Sequence, residues 1–269
     1  MNPLPNESST ASLFEQICDT QGYYTESLLM LLHGRCTPRD IAFFVSMASS
    51  PDETRQEIAL DVLAQVGLDT ELDAPLLGTV HAAILPHLES RVPSLLQAAL
   101  YATGHRAIPE AIGRLDALTS HPDEDIREAV AFALESFEGP QADAALIRLG
   151  SDSSDAVRNA AAFALGQSSR TSTPALLQAL RDLVDDPDPE TAGEALLGLA
   201  RRDVPEIDRI LARKLNEEPL APQVPEACQL RRNPAFLPAL QRLREQLDED
   251  PEVNQALDRA ILACTPLEP

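Results

Sequence analysis

DAVRNAAAFALG, residues 155–166, places five alanines in twelve residues behind an acidic first step and an arginine. A close copy, EDIREAVAFALE, lies 31 residues upstream at 124–135. Laid one on the other, Ile126 meets Val157, Arg127 meets Arg158, Ala129 meets Ala160, and AFAL at 131–134 meets AFAL at 162–165. Recurrence at a fixed period is the mark of a repeat architecture. Weaker copies keep the spacing, with anchors at Arg55, Pro93, Ala192, Pro225 and Asn254, so that successive anchors are 29 to 38 residues apart.

Each copy has a helical period. Val157, Ala160, Ala161, Ala164 and Leu165 follow i, i+3, i+4, i+7, i+8, and the upstream copy supplies Ile126, Ala129, Val130, Ala133 and Leu134. A second amphipathic stretch precedes each, as in QADAALIRLG (141–150) and TPALLQALRDLVDD (173–186). The repeating unit is therefore a helical hairpin with a short acidic turn: SHPDED, SDSSD, DDPDPE or DEDPE. In Ser50-Pro51, His121-Pro122, Asp186-Pro187 and Asp250-Pro251 a residue able to cap stands before proline, which suits a first helical position. Asp123, Glu124, Asp155, Asp188, Glu190 and Glu252 then fall at the positive ends of helix dipoles. Alanine on the contact stripe lets neighbouring helix backbones approach closely at no loss of helix propensity. No hairpin of this kind buries its apolar face alone, so each relies on its neighbours.

Composition narrows the partners. The 269 residues carry a formal net charge of -22 and a pI near 4.4, with 4% aromatics and no Trp. Such a field repels phosphate backbones and anionic membranes and attracts basic proteins, so neither nucleic acid nor membrane is expected as a partner. Lys214 is the sole lysine, which points to GC-rich, bacterial coding. The four cysteines, Cys18, Cys36, Cys228 and Cys264, are scattered and read as free thiols of a reducing compartment. The N-terminus has no basic and apolar signal pattern, and the apolar runs are too short to span a bilayer. A soluble, cytoplasmic protein is expected.

SDSSDAVRNAAAFALG and HPDEDIREAVAFALE resemble HEAT repeats, in particular the bacterial PBS-lyase HEAT-like subclass. In that subclass an acidic turn precedes Val-Arg-x-Ala-Ala-x-x-Ala-Leu-Gly. The resemblance is specific over 121–200 and extends over 51–264. It implies an all-α fold, a right-handed α-solenoid of stacked hairpins, and protein binding rather than catalysis. Asp152 and Arg158 match the family's Asp and Arg, which tend to form a ladder between successive turns; Ala192 and Asn254 interrupt it. HEAT-like di-iron hydroxylases use His-Glu dipeptides, yet His33, His81, His87, His105 and His121 are followed by Gly, Ala, Leu, Arg and Pro. HEAT-like DNA glycosylases need a basic, aromatic groove that this composition does not supply. Bilin lyases of the subclass remain an alternative. His33-x-x-Cys36 lacks a second ligand pair, and no phosphate-binding or nucleophile motif occurs. No catalytic, cofactor or metal residue is assigned, and the chain is expected not to be an enzyme.

Residues outside the stripe on the two best copies are Arg127, Glu128, Ala131, Phe132, Glu135 and Arg158, Asn159, Ala162, Phe163, Gly166. Phe132 and Phe163 take equivalent positions and are expected side by side, either as interface anchors or as fillers of gaps between repeats. Leu60 and Leu197 share that offset, with Glu128, Asn159 and Glu194 as a polar border. Residues 11–50, with paired Tyr and paired Phe, read as an atypical N-terminal helical cap; 51–264 hold six to seven helix pairs; 1–10 and 265–269 read as tails. The functional reading is a protein-binding scaffold, in its concrete form an acidic inhibitor or immunity protein that occludes a basic effector or toxin. A bilin lyase and an assembly or secretion adaptor are the alternatives.

Overall fold

The computed structural model describes residues 9–19, 26–68, 72–218, 220–246 and 251–266. The expectations for Tyr23, Tyr24 and most of both tails lie outside these residues. Among the described residues there are sixteen α-helices and no strand, the all-α solenoid arrangement of stacked hairpins. The chain divides into two units, Met1–Phe137 and Glu138–Pro269.

In the first unit α1 (Thr10–Asp19) and α2 (Glu26–His33) precede three hairpins. These pair α3 (Pro38–Ala48) with α4 (Glu53–Gln65), α5 (Ala74–Ile84) with α6 (Pro93–Arg106), and α7 (Ile112–Leu118) with α8 (Glu124–Glu135). The second helices α4, α6 and α8 pack side by side as an inner row. Residue 50, the expected border between cap and repeats, lies in the turn between α3 and α4, which pack together. Helices α1 and α2 rest on α4. Arg55 of α4 holds Glu15 of α1 through two hydrogen bonds of 2.6 and 2.7 Å, and Phe14 of α1 meets Phe43 of α3 edge to face at 5.4 Å.

The second unit has four hairpins: α9 (Pro140–Leu149) with α10 (Asp155–Phe163), α11 (Pro174–Leu183) with α12 (Pro189–Arg201), α13 (Ile207–Lys214) with α14 (Val224–Arg231), and α15 (Leu237–Gln246) with α16 (Pro251–Cys264). Its inner row is α10, α12, α14 and α16.

The turns differ from expectation by two residues. The residues that cap are Asp52, Asp123 and Asp188, whose carboxylates accept from the N–H of Arg55, Asp125 and Thr191. Ser50, His121 and Asp186 do a different job. Their side chains accept from the N–H two residues on, at Asp52, Asp123 and Asp188, as Asp152 does from Ser154, at 2.9–3.2 Å. Ser90 does the same for the Val92 N–H at 3.1 Å, so five successive hairpin turns share one Asx-like bend ahead of the helix start. Pro51, Pro122 and Pro187 fall inside this bend, where a missing N–H costs nothing.

The stripe of α8 is buried throughout, and along α10 and the turn that follows it Val157, Ala161, Ala164 and Leu165 are buried while Ala160 is half-exposed. Burial also reaches residues expected outside the stripe: Leu60, Ala131, Ala162, Gly166 and Leu197. The reason is clearest at α12, which is flanked by α10, α11 and α14; every residue from Thr191 to Ala200 is buried. An inner helix covered on three sides has no broad open face.

Candidate functional site

The inner rows carry all the residues expected to meet a partner, and the structure sorts them into two groups. The first group serves the repeat itself. Arg127 folds back onto its own turn, with Nη1 donating to the carbonyls of His121 (2.8 Å) and Pro122 (3.2 Å). Arg158 does the same to Asp152 (3.0 Å) and Ser153 (3.2 Å). The two arginines thus occupy matching places, each gripping carbonyls six and five residues upstream. Arg158 also forms a two-pronged pair with Asp186 of the next turn, at 2.8 and 2.9 Å. This is the ladder step implied by the resemblance. Burial opposes ionisation of Asp186, but hydrogen bonds from Arg158 and the Asp188 N–H outweigh it and hold the carboxyl below its ordinary range.

Glu194 was expected to border an open groove and Leu197 to continue its hydrophobic line, and the structure buries both. They are 7% and 1% exposed. Gln167 donates to one Glu194 carboxylate oxygen, and Gln223 donates to the other at 2.9 Å, so the acid is closed over by amides from its neighbours. The cause is a close helix contact. After Phe163 the chain forms a π turn, Ala164–Ser168, that presses Gly166 against Gly198: a β-carbon on Gly198 would stand 2.5 Å from the Gly166 Cα. A π turn displaces carbonyls from the helical ladder. Arg202 collects them, donating to Leu165, Gly166, Gly198, Ser169 and Thr171 at 2.7–3.0 Å.

The second group is open. Phe163 is 37% exposed and Asn159 is half-buried on α10. In the first unit Phe132 and Glu128 are half-buried on α8, one helical turn apart. Phe132 takes the Tyr101 ring edge on at 5.1 Å and the His105 ring at 5.4 Å, both from α6. It also covers Gly104, where a β-carbon would stand 3.0 Å from the ring. Phe132 is thus both packing and surface. Phe132 belongs to the first unit and Phe163 to the second.

Sequence reasoning missed Tyr101, His105 and Asp61. Gln97, Tyr101 and His105 stand four apart on α6, and that i, i+4 row was the available signal; the alanines around it blur the helix's polar side. Asp61 had no such signal. Burial, and next the Glu57 carboxylate one turn away, push its carboxyl up to about 7. His33 sits beside it, donating to the main-chain carbonyl of Asp61, with its Nε2 buried and without a hydrogen-bond partner. Arg106 is pushed down to about 10 by burial and caps α4, donating from Nε to Leu63 (2.8 Å) and from Nη2 to Val66. Among the described residues no three His, Cys, Asp or Glu side chains are grouped to hold a metal ion, and no helix is long and apolar enough to cross a membrane. No disulfide is formed among them.

Comparison with known proteins places this geometry. A model of HEAT repeats matches residues 82–166 and 148–221. Comparison with curated protein sequences gives no match. Among solved structures, YibA of E. coli is similar over 95% of this chain and 93% of its own, with a TM-score of 0.69 and 19% identity. The complex of CpcE and CpcF of phycocyanin lyase from Nostoc sp. PCC7120 is similar over 86% of this chain and 96% of its own (TM-score 0.51, 16% identity). Kap121p bound to Nup53p covers 98% of this chain with 33% of its own length (TM-score 0.61, 15% identity). At these identities the structures share the fold alone. The repeated hairpins, their common turn and the matched arginines, together with the family model, show that this chain belongs to the HEAT-repeat family.

Proposed function

We propose that this chain is a non-enzymatic scaffold that binds a protein partner of opposite charge. The observation that carries the reading is how the bases are used. Arg55, Arg106, Arg127, Arg158, Arg202 and Lys214 are each tied to a carbonyl or an acid of the repeats. These cations are engaged within the repeats, and the chain as a whole carries a net charge of -22. A surface of this sign accelerates capture of a basic protein and disfavours acidic ones. The likeness to Kap121p bound to Nup53p is in keeping with a solenoid that holds another polypeptide.

The finer form of the reading is a bacterial, cytoplasmic inhibitor or immunity protein that occludes a basic effector, with the half-buried Phe132 and the exposed Phe163 as aromatic contacts. An assembly adaptor would use the same surface. The test is a pull-down from the native host with intact protein, beside the Phe132→Ala, Phe163→Ala double variant. A basic protein retained by the wild type, released by salt and diminished by the variant supports the reading. Retention of an acidic protein only, or of a chromophore instead of a protein, overturns it.

A further inference from the structure

We propose that the inner row of the first unit, where Tyr101 and Phe132 stand between Glu128 on α8 and the Glu57–Asp61 pair on α4, is the docking site for an arginine-bearing segment of the partner. The inference rests on the scaffold reading and names the chemistry it recognises.

The site is assembled by the packing of α4, α6 and α8. Tyr101, 36% exposed, and the half-buried Phe132 meet edge to face with their ring planes 69° apart, so part of an aromatic pair lies open on the row. Glu128 stands one helical turn before Phe132 on α8, and after burial its carboxylate is the next cause that holds the Tyr101 hydroxyl above its ordinary value. Asp61, Tyr101 and Phe132 each stand nine residues after the N-cap of their helix (Asp52, Val92 and Asp123), and Glu57, Gln97 and Glu128 stand five after it. With α4, α6 and α8 side by side, Asp61 is in register with the aromatic pair.

What the site lacks is a cation. Glu57, Asp61 and Glu128 form no ion pair among the described residues. The bases of the row are engaged: Arg55 with Glu15, Arg106 with the Leu63 and Val66 carbonyls, and Arg127 with the carbonyls of its own turn. His105 is held below its ordinary value by burial and then by Arg106, so it supplies no charge at neutral pH. Two carboxylates one helical turn apart repel each other when both are ionised. Burial sharpens the repulsion at Asp61, and an incoming cation relieves it. A guanidinium suits the site better than an ammonium, because its plane stacks on an aromatic face while its N–H fork meets a carboxylate. Charge complementarity and ring geometry thus select the same occupant.

The test uses the full chain and two fluorescein-labelled peptides, GRGRGRG and GKGKGKG, followed by anisotropy at ~0.15 M salt, where distant charges are screened beyond about 8 Å. Glu128→Gln and Phe132→Leu are expected to weaken the arginine peptide about tenfold each, and the lysine peptide to bind several-fold more weakly. Glu190→Gln, an exposed acid of α12, should leave affinity within about twofold, as a distant surface charge does. Far-UV circular dichroism checks folding; should Phe132→Leu lose structure, Glu128→Gln decides. Equal losses from Glu128→Gln and Glu190→Gln, equal affinity for the two peptides, or no binding at ~1 mM would overturn the site. A host partner still retained by Glu128→Gln keeps the scaffold reading while refuting this one.

Discussion

Replacing Asp61 with asparagine should stabilise the first unit, and by an amount that depends on pH. The carboxyl rises from 3.8 to about 7, chiefly through burial and then through Glu57. At about 1.36 kcal/mol per pH unit, that rise sets a ceiling of ~4 kcal/mol on the cost of folding with Asp61 ionised. Asp61 is half-buried rather than sealed, and solvent screening brings the expected cost to about 2 kcal/mol. The sign follows from linkage. An acid whose folded value lies above its unfolded value costs nothing below pH 3.8. It destabilises progressively as pH rises toward 7, and by a constant amount beyond. Asparagine keeps the shape and removes the charge. Urea unfolding at pH 4, 6 and 8, followed by far-UV circular dichroism, should show almost no gain for Asp61→Asn at pH 4. At pH 8 the midpoint should rise by about 1 M. A gain equal at all three pH values, or a loss at pH 8, would refute the assignment of cost to the buried charge.

Further expectations follow from both units. Gly198→Ala, whose new carbon would stand 2.5 Å from the Gly166 Cα, should cost about 2–3 kcal/mol and lower the melting temperature by about 5–10 °C by calorimetry. Gly78→Ala on α5, where nothing lies within 4 Å, should instead gain about 0.5–1 kcal/mol. Arg158→Met leaves Asp186 buried without its cation and should cost about 3 kcal/mol near pH 7. Because the Asp186 carboxyl lies below its ordinary value, its contribution is complete above pH ~4 and is lost as pH falls through the folded value. Chemical denaturation at pH 7 and pH 2 should therefore show the gap between wild type and Arg158→Met narrowing in acid.

The alanine-rich copies announced hairpins and their period because helix periodicity and small contact residues are local properties of the chain. The matched placement of Arg127 and Arg158 was legible for the same reason: each grips carbonyls of its own turn. The open face was less legible. A stripe read from one helix assumes one covered side, whereas α12 is covered on three, so Leu197 and Glu194 moved from expected surface to interior. The turns show a subtler error. Proline after Ser50, His121 or Asp186 suggested a cap, but an equally local bend places the cap two residues later.

The order of helices, the shared turn and the family were thus written in residues near one another in sequence. The closing of α12 by Gln167 and Gln223, the Gly166–Gly198 contact, and the meeting of Tyr101 with Phe132 depend on residues brought together from different hairpins. So does the raised carboxyl of Asp61, since burial is a property of what packs around a group and not of the group's own neighbours along the chain.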